Sequence, residues 1–579
     1  MAISNQLQVK FNYAEINNNY DFYIITTSDK YISGGAYILD KPMDLLRAES
    51  VVFDNGRSIF IMFKKGIITK FTIINQLIDE KLTIKQVNSE DIKDYILFRL
   101  FLYSLNNFES DENKFNNVAG KLYITRPKWI AKNGKTFKAL NINVDEKLCL
   151  TADATTFTHT SCFTNKKILN TYPGYSFSNK NGGLKRIFNS EDVYIKKSLF
   201  GKKAEIPFFE LSKDKITDNK IYFIYKTLDL LKNKYDFCLS CNFVEINKTR
   251  SIGKYKDEDF VEKCRTLLSG RILNVINWSN SHEYDDEFNS LLEFLRSKNI
   301  FNIKTSYKIE KGSLNLVYLH NKEYYEQKNY NDPYKNIDKY SVTQHITIED
   351  CSDKLINDNE AIFNSILKEF VIKEDLFVLK KISLYDWRNL AYSGRVIFGR
   401  EKNNIHYFLI VNPDGTFEYK FKKNDFTSFK DNVLDKCSNI LTDNKEKEKS
   451  IIADDNGNII MVSRSGKYML PSKELFDLEF ISRGKEYREK YLDGVVDINL
   501  FGGEGKIFYN AGIKGSGMNT SVPKASILYE VNVVEGKNII EDILDTMSVP
   551  FVKYKSFTVM PFPFKYLSEI ILLEDKLRY

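Results

Sequence analysis

A chain of 579 residues is too long for one hydrophobic core, so three or four domains are expected. With 43% hydrophobic and 28% charged residues it is not a disordered chain, and no apolar run approaches the ~18–20 residues of a membrane span. Seven irregularly spaced cysteines exclude a disulfide framework and point to a reducing cytoplasm, while a net charge of +7 is too weak to name a partner.

In chain order, residues 1–110 read as a β-rich domain. Strands are expected at 20–26, 58–63 and 67–74, a helix at 89–103, and turns at Asn55-Gly56 and Lys65-Gly66. Residues 111–235 form a second β-rich region, with period-two alternation in KLYIT, KALNINV and KLCLTADATTFT. Residues 171–250 hold 15 Lys or Arg against 9 Asp or Glu, nearly the whole basic excess. The pairs Lys185-Arg186, Lys196-Lys197 and Lys202-Lys203 suit either a solvated face or a polyanion track.

Within 236–350 the pattern alternates: strand 272–277, helix 287–298, strand 314–319, helix 323–328, strand 342–348. Alternation of this kind predicts a small doubly wound parallel unit with a ligand site at the carboxyl ends of its strands. Residues 351–579 look antiparallel, with meanders at 396–421 and 450–470 and a turn at 412–415. A charged loop at 442–450 lies between the meanders, and a helix at 539–547 precedes an apolar finish.

Four polar residues stand out in the alternating region. Tyr324 and Lys328 lie four apart on one helical face, Gln344 lies on the next strand and Lys368 on a later helix. Two ammoniums, a phenol and an amide suit one terminal phosphate. The glycine-rich stretch at 502–526, which includes Lys514, permits a close approach to a nucleic-acid backbone or forms a plain surface loop.

This set, with the order of parts around it, resembles the guide-end pocket of the Argonaute/PIWI family, in a divergent prokaryotic and catalytically inactive form without an evident PAZ domain. The resemblance implies an α/β and α+β multidomain chain. It comprises a β-rich N-terminal lobe, a Rossmann-like middle domain at 236–350 and an RNase H-like PIWI-type domain at 351–579. Tyr324 would stack on the first guide base, and Lys328, Gln344 and Lys368 would hold its 5′ phosphate. Lys185, Arg186, Lys196, Lys197, Lys202, Lys203 and Lys514 would follow the nucleic-acid backbone.

The implied partners are a short guide, its complementary target, and a helicase or nuclease effector in defence against invading nucleic acid; no membrane is involved. No cofactor is implied beyond, at most, a magnesium ion at the guide phosphate.

The carboxylates depart from an active member of that family. Asp414, Asp454 and Asp455 sit in turns, and Asp497 is strand-like without clear partners, so no catalytic set and no metal site is expected. Cys238 and Cys241 form a lone CxxC in a strand-like run and read as core residues. His159-Thr160-Ser161 and His345-Ile346-Thr347 match an H-x-[S/T] pattern of two-histidine phosphoesterases, which arises easily by chance. Two other readings stay open: a structural or assembly protein such as a phage component, and a metal-dependent nuclease built around Asp497.

Overall fold

The structure is a computed structural model. It describes residues 2–27, 29, 32, 46–54, 56–70, 72–73, 82–106, 109–110, 113–163, 173–178, 182–187, 192–197, 206–210, 216–246, 248–255, 257–279, 281–328, 330–331, 333, 341–349, 360–384, 394–423, 429–443, 449–470, 473, 496–503, 506–511, 521–522, 527–543 and 562–577. The chain is a mixed α/β protein with several separate sheets, divided into two compact units. No described helix is long and apolar enough to cross a membrane.

Unit 1 comprises Met1–Asn247, Gly466–Asp493 and Gly515–Ala525. A four-stranded antiparallel sheet runs in the order Ser50–Asp54, Ser58–Lys64, Tyr20–Thr27, Leu82–Val87. Against it packs the helix Asp94–Tyr103, whose sequence DYILFRLFLY buries eight of ten side chains. A helix apolar all round belongs inside, and this one is capped at its sheet edge by Tyr95 donating to Asp54. Residues 67–74 were expected to be a strand, but their described part is a turn leading into a helical turn. Its first bond runs from the Ile73 N–H to the Thr69 carbonyl.

The second sheet of unit 1 has eight strands, from Leu184–Ile187 at one edge to Glu109–Ser110 at the other. The strand Thr136–Val144 alternates buried and partly buried residues, as its period-two sequence demands. Phe137 stacks on Phe177 at 3.9 Å and on Phe157 at 4.8 Å, holding one face together. Two elements not expected from the sequence open the chain: the strand Ala2–Phe11 and the helix Tyr13–Asn19. Ala2–Phe11 pairs antiparallel with Leu239–Ile246, a contact 240 residues distant in sequence. Cys238 and Cys241, at the start of that partner strand, are both buried, and burial pushes their thiols up to about 12 and about 11.

Unit 2 comprises Lys248–Ser465, Gly494–Lys514 and Ser526–Tyr579. One sheet is wholly parallel, in the order Asn302–Ser306, Ile272–Asn277, Leu314–Leu319, Thr343–Thr347. Its central strand, LNLVYL, is buried at every position, as expected of a parallel strand covered on both faces. The edge strand Asn302–Ser306 has no apolar signature and was not expected. The chain crosses to that edge through the helix Asp285–Ser297, then returns to the other side of Ile272–Asn277.

An antiparallel meander, Val396–Lys402, Ile405–Val411 and Phe417–Lys423, continues through Ser450–Asp454. Val496–Gly503, which runs into the glycine-rich stretch, and Lys506–Ala511, within it, form a hairpin in the same sheet. The C-terminal helix Pro563–Leu577 packs on the meander and is pinned by Tyr566, whose hydroxyl donates to buried Asp375 at 2.6 Å. Ser383 adds two donors to that carboxylate, from its N–H and its hydroxyl.

Candidate functional site

The reversal of strand order in the parallel sheet falls between Ile272–Asn277 and Leu314–Leu319. Outside the carboxyl ends of the strands at such a switch point lies the crevice that is the usual ligand position of an open parallel sheet. Asn277 ends one of the two strands and Trp278 and Ser279 follow it; His320 and Asn321 follow the other strand directly. The Trp278 N–H donates to the Tyr318 carbonyl at 2.8 Å, and Asn277 Oδ1 accepts the Ser279 N–H at 2.9 Å, so the first loop is fixed.

At the centre lies a buried histidine. His320 is 1% exposed and its Nδ1 lies 2.5 Å from Glu349 Oε1. The other oxygen of Glu349 accepts the Asn321 N–H at 2.8 Å, tying the ends of two neighbouring strands. Tyr324 stacks on His320 with centroids 3.6 Å apart and planes 10° from parallel, while Tyr284 meets the same ring edge-on at 5.1 Å. Asn321 caps the helix Lys322–Lys328 by accepting the Tyr324 N–H at 2.9 Å. Tyr318, at the end of the central strand, donates to Glu287 at 2.8 Å.

Tyr324 and Lys328 therefore share one face of a short helix at this crevice. Tyr324 is half-buried, and among the described residues it makes no hydrogen bond, ion pair or ring contact with Lys328, Gln344 or Lys368. Lys328 is exposed. Gln344 lies in the edge strand opposite Leu316, and Lys368 is half-buried on the helix Glu360–Glu374. The carboxylates near Tyr324 were not singled out from the sequence, nor was His320. Both His320 and Glu349 stand one or two residues beyond a parallel strand, and that position alone could have identified them.

The surroundings are acidic: Glu283, Asp285, Glu287 and Glu349 outnumber the nearby His282 and Lys322. Tyr284 has its phenol raised above the ordinary range, first by burial and then by Glu283, Tyr324, Glu349 and Glu287. A magnesium ion does not fit this donor set. Glu349 spends both oxygens on His320 and Asn321, Asp285 faces His282 at 2.9 Å, and Glu287 accepts from Tyr318. Among the described residues no three His, Cys, Asp or Glu side chains gather at metal-binding distance.

The basic pairs lie in unit 1. Lys185 is exposed and Arg186 half-buried on consecutive positions of Leu184–Ile187, so they face opposite sides of the sheet. Lys196 turns toward Tyr123, 3.4 Å from its hydroxyl, and burial is the first cause lowering its ammonium below the ordinary range. Lys197 lies 5.8 Å from the Phe163 ring centroid. Lys202, Lys203 and Lys514 lie outside the described residues.

Asp414 and Asp454 act in their own turns: Asp414 accepts from Thr416, and Asp454 accepts from Asn456 and Asn458. Asp455 holds Arg395 at 2.7 Å. Asp497 pairs through its backbone with Lys254. No protein-family model matches the chain, and no curated protein matches it.

Proposed function

We propose that this chain is a guide-dependent nucleic-acid-binding protein of Argonaute/PIWI-like type that does not itself cut, and that works in the cytoplasm with a helicase or nuclease effector against invading nucleic acid. The observation that carries this reading is the Tyr324 ring, held flat by His320 at the crevice of the parallel sheet. Its position suits a base at one end of a polynucleotide, and stacking of that kind contributes roughly 1–3 kcal/mol. The unit around it is then the Rossmann-like middle domain.

Lys328 and Lys368 would supply the charge for a 5′ phosphate, whereas Gln344, second in its strand and opposite Leu316, lies toward the amino ends of the sheet. The acidic neighbours make these lysines essential, because a phosphate dianion beside Glu349 and Asp285 is repelled unless cations offset it. The RNase H-like reading of 351–579 has less support. After the helix Asn432–Asp443, the strand Ser450–Asp454 runs antiparallel to its neighbour Val396–Lys402.

Nucleic acid extracted from the purified protein tests the proposal. Short strands of uniform length with a 5′ phosphate are expected, and Tyr324→Ala is expected to weaken their binding by about 5–150-fold. Paired charge reversal, Lys328→Glu with Lys368→Glu, is expected to abolish the preference for a phosphorylated end. Nucleic-acid-free protein with equal affinity for phosphorylated and hydroxyl ends would refute the reading.

A further inference from the structure

A histidine in unit 1, unrelated to the crevice, is held in a catalytic-looking arrangement. His159 ends the strand Leu150–His159 and precedes a single turn of 3-10 helix, Thr160–Cys162. Its Nδ1 lies 2.9 Å from Ser161 Oγ and accepts the Ser161 N–H at 3.3 Å. Its Nε2 lies 3.0 Å from Asp192 Oδ1. Because a backbone N–H can only donate, it fixes the tautomer: Nδ1 carries the lone pair and Nε2 the proton, which goes to Asp192.

The surrounding structure holds this geometry in place. The His159 N–H donates to the Lys135 carbonyl at 2.8 Å, fixing its backbone. The Tyr194 ring meets the imidazole edge-on at 5.0 Å and is itself anchored by its hydroxyl donating to Gly134 at 2.6 Å. The Thr160 N–H donates to the Val193 carbonyl at 2.8 Å, and Val193 adjoins Asp192, so serine and carboxylate are held to each other through one backbone bond.

We propose that Ser161, His159 and Asp192 form a nucleophilic triad able to attack activated carboxylic esters. A hydroxyl within hydrogen-bond reach of a base, oriented in turn by a third group, is the arrangement that activates a serine. Ser161 Oγ bonds to the ester carbonyl carbon while its proton passes to His159 Nδ1. Collapse breaks the bond to the alkoxide, which leaves with that proton as an alcohol. Water, deprotonated by the same nitrogen, then attacks acyl-Ser161 and releases the carboxylic acid. The side chain of Ser161 is exposed and Asp192 is 90% exposed, so the substrate class is small aryl esters reaching an open surface, and turnover is slow.

The test uses the full chain, a fluorophosphonate probe, which bonds a nucleophilic serine through phosphorus with loss of fluoride, and p-nitrophenyl acetate as substrate. Peptide mapping is expected to place one adduct on Ser161. Ser161→Ala, which keeps the backbone bond to His159, is expected to lose the adduct and the ester burst with unchanged melting. His159→Gln retains an acceptor for the Ser161 N–H and is expected to slow labelling by about 100-fold or more. Asp192→Asn is expected to slow it by less than about tenfold, since an exposed carboxylate is screened. Cys162→Ser is expected to label as the parent does. An adduct on any other residue, no adduct on folded protein, or undiminished labelling of Ser161→Ala would overturn the assignment.

Discussion

His320 and His159 are each bonded to a carboxylate, yet the two pairs are built for different work. His320 is buried beneath Tyr324 with Glu349 reaching across from the neighbouring strand end. His159 lies near the surface, and its Asp192 partner is almost wholly in solvent. Burial makes the first pair a fixed support whose loss leaves a polar group stranded, while solvent makes the second energetically slight and chemically accessible. The lesson is that pairing with an acid does not define a histidine's role; its exposure does.

Removing the buried ring should cost most. His320→Ala is expected to destabilise the parallel sheet by about 3 kcal/mol, since it removes a buried pair, a stack and an edge contact together. Hydrogen exchange in Leu314–Leu319 and Lys322–Lys328 would report it. Protection unchanged in those elements would mean that His320 supports nothing.

Smaller effects follow from a third histidine and a buried acid, neither of which has a charged partner at bonding distance among the described residues. His406 places Nδ1 2.7 Å from Ser438, and burial, with Lys422 and Lys449, lowers it below its ordinary 6.5 despite Glu401. Its unfolded form binds the proton more readily, so stability is fully present above 6.5 and is lost as pH falls from there. Asp375 runs the other way. Burial raises its carboxyl from 3.8 to about 6, overriding the donors from Tyr566 and Ser383, and its contribution is lost as pH rises from 3.8 through about 6. Denaturant titrations across pH 4–8 are expected to show His406→Leu removing the loss of stability as pH falls below 6.5, and Asp375→Asn removing the loss as pH rises through about 6. Unaltered pH profiles would remove both groups from the account.

The smallest effect is expected at the exposed pair. Asp192→Asn should change stability by less than about 0.5 kcal/mol and only at low salt. A loss of several kcal/mol, persisting at high salt, would mean that Asp192 is a structural support like Glu349, and the contrast between the two sites would fail.

Much of the local structure was legible because its signal is local. The run LNLVYL, the alternation in TFKALNINV and the apolar helix DYILFRLFLY each specify an element through the burial of their own side chains. The stretch at 67–74 misled because its β-branched residues favour a strand only where a neighbour completes the ladder. Asn302–Ser306 escaped because an edge strand with little buried surface carries little apolar pattern. Tyr324 and Lys328 were legible as one helical face, whereas Gln344 and Lys368 depend on strand order and helix docking.

By itself the sequence determined the elements whose own side chains carry a buried pattern, that 236–350 alternates, and that His159 and Ser161 stand two apart. Tertiary structure alone decided that Glu349 reaches His320, that Asp192 comes to His159 from 33 residues away, and that the first strand of the chain pairs with Leu239–Ile246. The physical reason is that hydrophobic periodicity is set by neighbours along the chain, while a polar contact between distant residues is fixed only when the backbone between them has folded.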